Sequence, residues 1–328
     1  MTRTKSHLDR WLWRVCLGAF VASALPAGAQ QMSILSGATK ELPTNDHSFA
    51  YVADYSEPLN KLFSYSLVYV NEGHLLDHHR DGIGGQIWAG FNITPNWSIK
   101  AGIGPYFYFD TAAKPPSVAA VDDHGFGVIS SASTNYQFTK RWSVELRANR
   151  ILTKKSIDTT SILIGLGYTY DASVLPGSSA GEASWQSDSA RPNEVSGSFG
   201  RTYVNNFESE TATAYQLEYR RNLSRNVDWT VGVLREGAPG PINRTGALTE
   251  IWGTRTLLHD RAAIGIGIGP YLAYDSKDAN RTHLSGVVSI TGSYKLPGNL
   301  IARATWHRVT TRYDRDTDVF LLGAGYRF

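Results

Sequence analysis

Cysteine is nearly absent. The 328 residues contain one, Cys16, so no intramolecular disulfide can form. Also missing, beyond the N-terminal leader, is any run of about 18 consecutive apolar residues, which excludes helical membrane spans. The leader itself has an apolar stretch, Val15 to Leu25, that is too short to span. Arg3, Lys5 and Arg10 precede it and Ala27-Gly28-Ala29 follows it. That is the pattern of a secretory signal peptide cleaved before Gln30. Cys16 lies inside it, and Trp13-Arg14-Val15 does not fit a lipoprotein signal. An excess of positive charge is missing too. Of 32 basic and 29 acidic residues, four basic and one acidic belong to the leader, which leaves 28 of each. No electrostatic case for a nucleic-acid partner remains. No cofactor motif is present either: Gly102-Ile103-Gly104 is followed by no helix, and its glycines share one strand face.

What the chain has is Tyr, Trp, Gly and Thr in alternating runs, and it has them twice. Tyr51, Asp54, Tyr55, Leu59, Glu72, Arg80, Gly82, Ile87 and Trp88 recur 164 positions later. Their partners are Tyr215, Glu218, Tyr219, Leu223, Glu236, Arg244, Gly246, Ile251 and Trp252. Gly102-Ile103-Gly104-Pro105-Tyr106 returns as Gly267-Ile268-Gly269-Pro270-Tyr271, and Arg150, Gly165, Gly167 and Tyr168 return as Arg308, Gly323, Gly325 and Tyr326. A duplication kept in order divides the chain into leader 1–29, repeat 30–171, a Ser-, Gly-, Ala- and Pro-rich linker 172–192, and repeat 193–328.

Each repeat contains eight alternating runs. They fall near 33–42, 46–57, 63–74, 80–93, 97–111, 124–138, 142–153 and 158–171, then near 195–207, 211–224, 227–237, 244–258, 260–276, 282–296, 300–312 and 317–328. Short turns such as Thr94-Pro95-Asn96 alternate with longer polar connections such as 112–123. Ile103, Pro105, Phe107 and Phe109 share one face of the fifth run, while Gly102, Gly104, Tyr106, Tyr108 and Asp110 share the other. One set suits hydrocarbon and one a lumen. The expected fold is therefore all-β: a transmembrane antiparallel β-barrel of sixteen strands from two eight-strand repeats, in a Gram-negative outer membrane. The complete repeats, the linker and inward apolar residues (Val68, Val70, Leu163, Val319, Leu321) suit two small barrels. Fusion into one wider barrel is the simpler assembly, and a single barrel is expected.

The chain ends in Gly325-Tyr326-Arg327-Phe328, which resembles the terminal aromatic signal that barrels present to the barrel assembly machinery. Each copy also resembles the small outer-membrane lipid A deacylases, through Tyr69-Val70-Asn71-Glu72-Gly73, Ala101-Gly102-Ile103-Gly104 and Arg147-Ala148-Asn149-Arg150. The resemblance implies an eight-stranded barrel with a His-x-Ser pair on the seventh strand. Arg150 and Leu152 stand at those positions in the first copy, and Arg308 and Thr310 in the second. Arginine stays protonated and leucine carries no nucleophile, so the pair is lost. In a shifted register His307, Thr310 and Asp316 would be weak catalytic candidates.

Three further groups stand out. Glu72 and Arg80, echoed by Glu236 and Arg244, read as a salt bridge pinning a loop base. The stretch between them, with His74, His78 and His79, offers imidazoles to a metal, but the second copy has no matching histidines. Inward Glu145, Arg147, Arg303, His307, Glu218, Arg220 and Glu250 either pair across the lumen or line a path. The arginines between Arg308 and Asp318 suit lipopolysaccharide phosphates or a salt-bridged hairpin tip. The expected role is a non-enzymatic barrel in envelope structure or passive solute passage, in contact with outer-membrane lipid and lipopolysaccharide. The alternative is a lipid A hydrolase.

Overall fold

The computed structural model describes residues 30–42, 44–113, 120–170, 192–258 and 260–328. The expected signal peptide, and the linker up to residue 191, lie outside them. Sixteen strands account for nearly all the rest. The first eight are β1 (Gln30–Leu42), β2 (His47–Pro58), β3 (Phe63–Leu75), β4 (His78–Thr94), β5 (Trp97–Ala113), β6 (Ala120–Gln137), β7 (Trp142–Thr153) and β8 (Asp158–Tyr170). The second eight are β9 (Asn193–Val204), β10 (Thr211–Ser224), β11 (Val227–Gly237), β12 (Arg244–Leu257), β13 (Ala262–Asp275), β14 (Arg281–Lys295), β15 (Leu300–Thr310) and β16 (Thr317–Arg327). The alternating runs predict these boundaries to within a few residues, because a strand ends where its period-2 pattern meets turn chemistry.

The expected single barrel is not what forms. Each eight-strand sheet closes on itself. β8 returns to β1 in an antiparallel ladder from Gln30–Tyr170 to Leu42–Asp158. β16 returns to β9 from Val204–Thr317 to Glu194–Arg327. The reason lies in the inward side chains. Leu35, Val52, Val68, Ile129, Ile151 and Leu163 meet Tyr106 and Tyr108 in one buried cluster. Leu234, Leu248, Tyr271, Val287, Val309, Val319 and Leu321 form the equivalent cluster in the second barrel. Eight strands leave an interior that side chains just fill, whereas a sixteen-strand ring would leave these groups facing water.

The outward faces are apolar as well. Ile34, Ile103, Ile162, Ile164, Phe199, Leu217, Leu284 and Leu322 are each at least half exposed. A continuous band of apolar side chains on the outside is the pattern of a transmembrane barrel. Aromatic side chains ring the end bearing the short turns: Trp142 meets Tyr168 edge-on at 4.9 Å between ring centres, and Tyr168 meets Tyr170 the same way. This turn end also carries Gln30, Tyr170, Asn193 and Phe328. The opposite, loop end carries most of the longer connections, the two-residue β3–β4 turn excepted.

Candidate functional site: two locked lumens and a polar seam

Near the loop end of each barrel, one lumen-facing arginine is sealed in place. Arg80 donates to both carboxylate oxygens of Glu72, at 2.5 and 2.9 Å, and to the hydroxyl of Thr159 at 3.0 Å. In the second barrel Arg244 donates to Glu236 at 2.6 Å twice and to Thr317 at 2.8 Å. Its remaining nitrogen reaches Tyr313 and the Arg315 carbonyl, both at 3.1 Å. The arginines are essentially unexposed. The sequence pairing of Glu72 with Arg80 and Glu236 with Arg244 thus appears inside the barrel. It spans the β3–β4 and β11–β12 hairpins and ties them to β8 and β16.

A second layer lies toward the turn end. The Trp88 indole donates to Ser66 at 2.8 Å, and Trp252 to Thr230 at 2.9 Å. Gly102 and Gly267 make room for them: a Cβ there would stand 2.4 and 2.6 Å from the indole. Arg147 lies over Trp88, 5.0 Å from its ring centre, and Arg220 over Trp252 at 4.4 Å. Arg147 also pairs with Asp54 and Glu145, each at 2.8 Å, and Arg220 with Glu218 at 3.1 Å and Asp228 at 3.2 Å. Arg303 is held by Glu194 at 2.8 Å. These three inward arginines are therefore paired within the lumens.

Glu250 and His307 form a network that local sequence patterns do not reveal. The Ser289 hydroxyl lies 2.6 Å from both Glu250 Oε1 and His307 Nδ1, while His307 Nε2 faces Gln216 Oε1 at 2.9 Å. These are the groups of a nucleophile, base and carboxylate, yet His307 and Ser289 have no exposed surface. The weak catalytic candidates do not converge. Thr310 reaches the Gly286 carbonyl, and Asp316 is held by the Thr311 amide and hydroxyl at 2.6 and 3.0 Å.

The predicted histidine loop is mostly strand, with only Leu76 and Asp77 between β3 and β4. Asp77 adopts a positive φ of 61°, which such a tight reversal requires. Alternation then divides the imidazoles. His78 pairs with Asp110 at 2.8 Å, while the His74 and His79 rings lie tilted against each other, 4.3 Å between centres. Among the described residues no group of three or more His, Cys, Asp or Glu could hold a metal ion.

Outside the lumens, a polar seam joins the barrels. Arg308 donates to Asp81 of the first barrel at 2.5 Å and lies 3.1 Å from Asp318. It also lies over the Phe109 ring at 4.8 Å. Tyr69 donates to Asp81, Trp306 donates to Asp318, and the two rings meet edge-on at 5.6 Å. Nearer the turn end Arg255 pairs with Glu57 at 3.2 Å. At the loop end the Asp316 amide donates to Asp122 at 2.9 Å.

Burial of Asp316 outweighs the hydrogen bonds from Thr311 and the charge of Arg308, and raises its carboxyl to about 6. Between its ordinary 3.8 and about 6 the folded protein holds a proton that the unfolded chain has released. Stability is expected to rise as pH falls through that window and to be lost as pH climbs through it. Unfolding midpoints measured against pH should show this slope, and Asp316→Asn should reduce it. An unchanged slope in the variant would refute the assignment.

No protein-family model matches the chain, and no curated protein does. Solved structures with a similar fold include the N-terminal β-barrel domain of Pseudomonas aeruginosa OprF, at 14% identity and TM-score 0.35, covering 43% of this chain and 97% of that one. Ail, the attachment invasion locus protein of Yersinia pestis, is similar at 13% identity and TM-score 0.34, covering 44% and 99%. A Pseudomonas aeruginosa FadL homologue aligns at 14% identity and TM-score 0.26 over 92% and 90%.

Proposed function

We propose that this is a Gram-negative outer-membrane protein that acts as a closed, non-enzymatic pair of barrels, serving envelope structure and lipid contact and not solute passage. The observation that carries this reading is the Glu–Arg–Thr lock, built twice, with every member buried. A permeation path would need those guanidinium groups to line open water. They are instead fixed by four or more hydrogen bonds each, across a lumen whose middle is aliphatic and aromatic. The turn end would face the periplasm, as short turns do in such barrels, with Phe328 presented to the assembly machinery. The apolar outward faces would contact outer-membrane lipid and lipopolysaccharide.

The rival reading, a diverged lipid A deacylase, needs a nucleophile and base that a lipid ester can reach. The Ser289–His307 pair points into a sealed lumen. Refolded residues 30–328 are expected to be silent in a planar bilayer and to release no fatty acid from purified lipopolysaccharide. Discrete, stable openings would overturn the closed reading, and ester cleavage lost in Ser289→Ala would overturn the non-enzymatic one.

A further inference from the structure

The middle layer of the two lumens uses the same positions with different chemistry. In the first barrel Gln86 donates to the Ser131 hydroxyl at 2.9 Å, and Ser131 donates to Asn149 Oδ1 at 2.7 Å. Glu250, Ser289 and His307 occupy these positions in the second. Gly102–Ser131–Asn149 and Gly267–Ser289–His307 are equivalent runs of cross-strand partners. Gln86 and Glu250 each stand two residues before the lumen tryptophan. The serine is kept, while the neutral amides on either side of it have become a carboxyl and an imidazole. Gln216, which extends the row, replaces Val52 of the first barrel.

The row in the second barrel is one hydrogen short. Glu250, Ser289, His307, Gln216 and Glu218 follow one another at 2.6, 2.6, 2.9 and 3.3 Å. Each of these four contacts needs a hydrogen, because two bare acceptors repel. Ser289 supplies one and a neutral imidazole another. The Gln216 amide supplies a third, since its nitrogen can face His307 or Glu218 but not both. Turning the amide over moves the deficit without filling it. The first barrel has no deficit: the Gln86 nitrogen and the Ser131 hydroxyl fill both contacts. Among the described residues, the charges acting on Glu250 and His307 are those of Glu218 and Arg220 on β10. Arg220 is itself matched by Glu218 and Asp228. Glu250 Oε2 has no hydrogen-bond partner, and Glu250, Ser289 and His307 are at most 1% exposed. A carboxylate ionised there beside a neutral imidazole would leave a buried charge uncompensated.

We propose that Glu250, Ser289 and His307 form a proton-binding site, which takes one proton from water as the second barrel folds and holds it between carboxyl and imidazole. Ser289 bridges the two, accepting from one while it donates to the other, so the same proton can rest at either end. The second barrel is thereby tied to the pH of its surroundings at a layer where the first is indifferent to it. This holds whether or not the lumens conduct.

The test is urea unfolding of the full mature chain in detergent, followed by tryptophan fluorescence between about pH 7 and 9. There the unfolded chain carries Glu250 ionised and His307 neutral, one proton fewer than the folded site. Stability is therefore lost as pH rises, and the site should raise the unfolding equilibrium constant about tenfold per pH unit. Glu250→Gln combined with His307→Asn reproduces the first barrel's row, and should remove that contribution. All other titratable groups are common to both proteins and cancel in the comparison. Parallel pH dependence in the two would overturn the proposal. A second measurement needs no variant. Carbon and nitrogen NMR of the folded wild-type protein at pH 8 should find either a protonated Glu250 carboxyl or a doubly protonated His307 ring. An ionised Glu250 beside a singly protonated His307 would overturn it equally.

Discussion

Arg244→Ala is expected to destabilise the protein by about 3–5 kcal/mol, the usual consequence of stranding one partner of a buried ion pair. Glu236 would lose both of its 2.6 Å contacts to the guanidinium in a place with no solvent, keeping only the Thr317 hydroxyl. Thr317 would lose its donor, and the β15–β16 connection would lose its tie to the lumen through Tyr313 and the Arg315 carbonyl. The loss should show as a lower urea midpoint in detergent, followed by tryptophan fluorescence. Glu236→Leu combined with Arg244→Met should recover most of it, since paired apolar replacements leave no charge uncompensated. Should the single variant unfold at the wild-type midpoint, the lock would be decorative. Arg80→Ala, made in the first barrel, tests whether both copies depend on the same device.

The seam should behave in an all-or-none way. With a protease site placed within 171–191 and cut, the two halves of the wild-type protein are expected to remain together on size exclusion. In Arg308→Ala they should separate. The substitution leaves Asp81 and Asp318 facing each other, both buried or partly buried, where one guanidinium had bridged them at 2.5 and 3.1 Å. A loss of about 3–5 kcal/mol is roughly a hundred- to several-thousandfold in association. Adding Asp81→Asn and Asp318→Asn should restore part of the contact by removing the stranded charges. Wild-type halves that drift apart immediately after cleavage would show that Arg308 joins nothing.

The strands were legible because alternation is local: Gly102 to Asp110 reveals its two faces within nine residues. The Glu–Arg pairs were also legible, since both members repeat at one spacing, although sequence placed them at a loop base and not within the lumen. Barrel number was not legible. Strand alternation is the same in a ring of eight or sixteen, and only the volume filled by groups such as Val68, Tyr106 and Leu321 decides between them. The seam was hidden for a different reason. Asp81 and Arg308 are more than two hundred residues apart on outward faces, where the pattern alone predicts lipid. Glu194 and Ser289, which hold Arg303 and His307, were missed because each is an ordinary polar residue on its own strand. The glycine motif lacked a role until Trp88 and Trp252 were seen resting against it.

The closures of β8 on β1 and of β16 on β9 have an evolutionary consequence. Each unit satisfies its own backbone hydrogen bonds and begins and ends on the same side of the membrane. A gene encoding one unit can therefore be copied in tandem without reopening any ladder or inverting a neighbour. Lengthening such a protein is a matter of adding beads to a string. Selection is then free to alter the facing sides of two beads while leaving their interiors nearly alike.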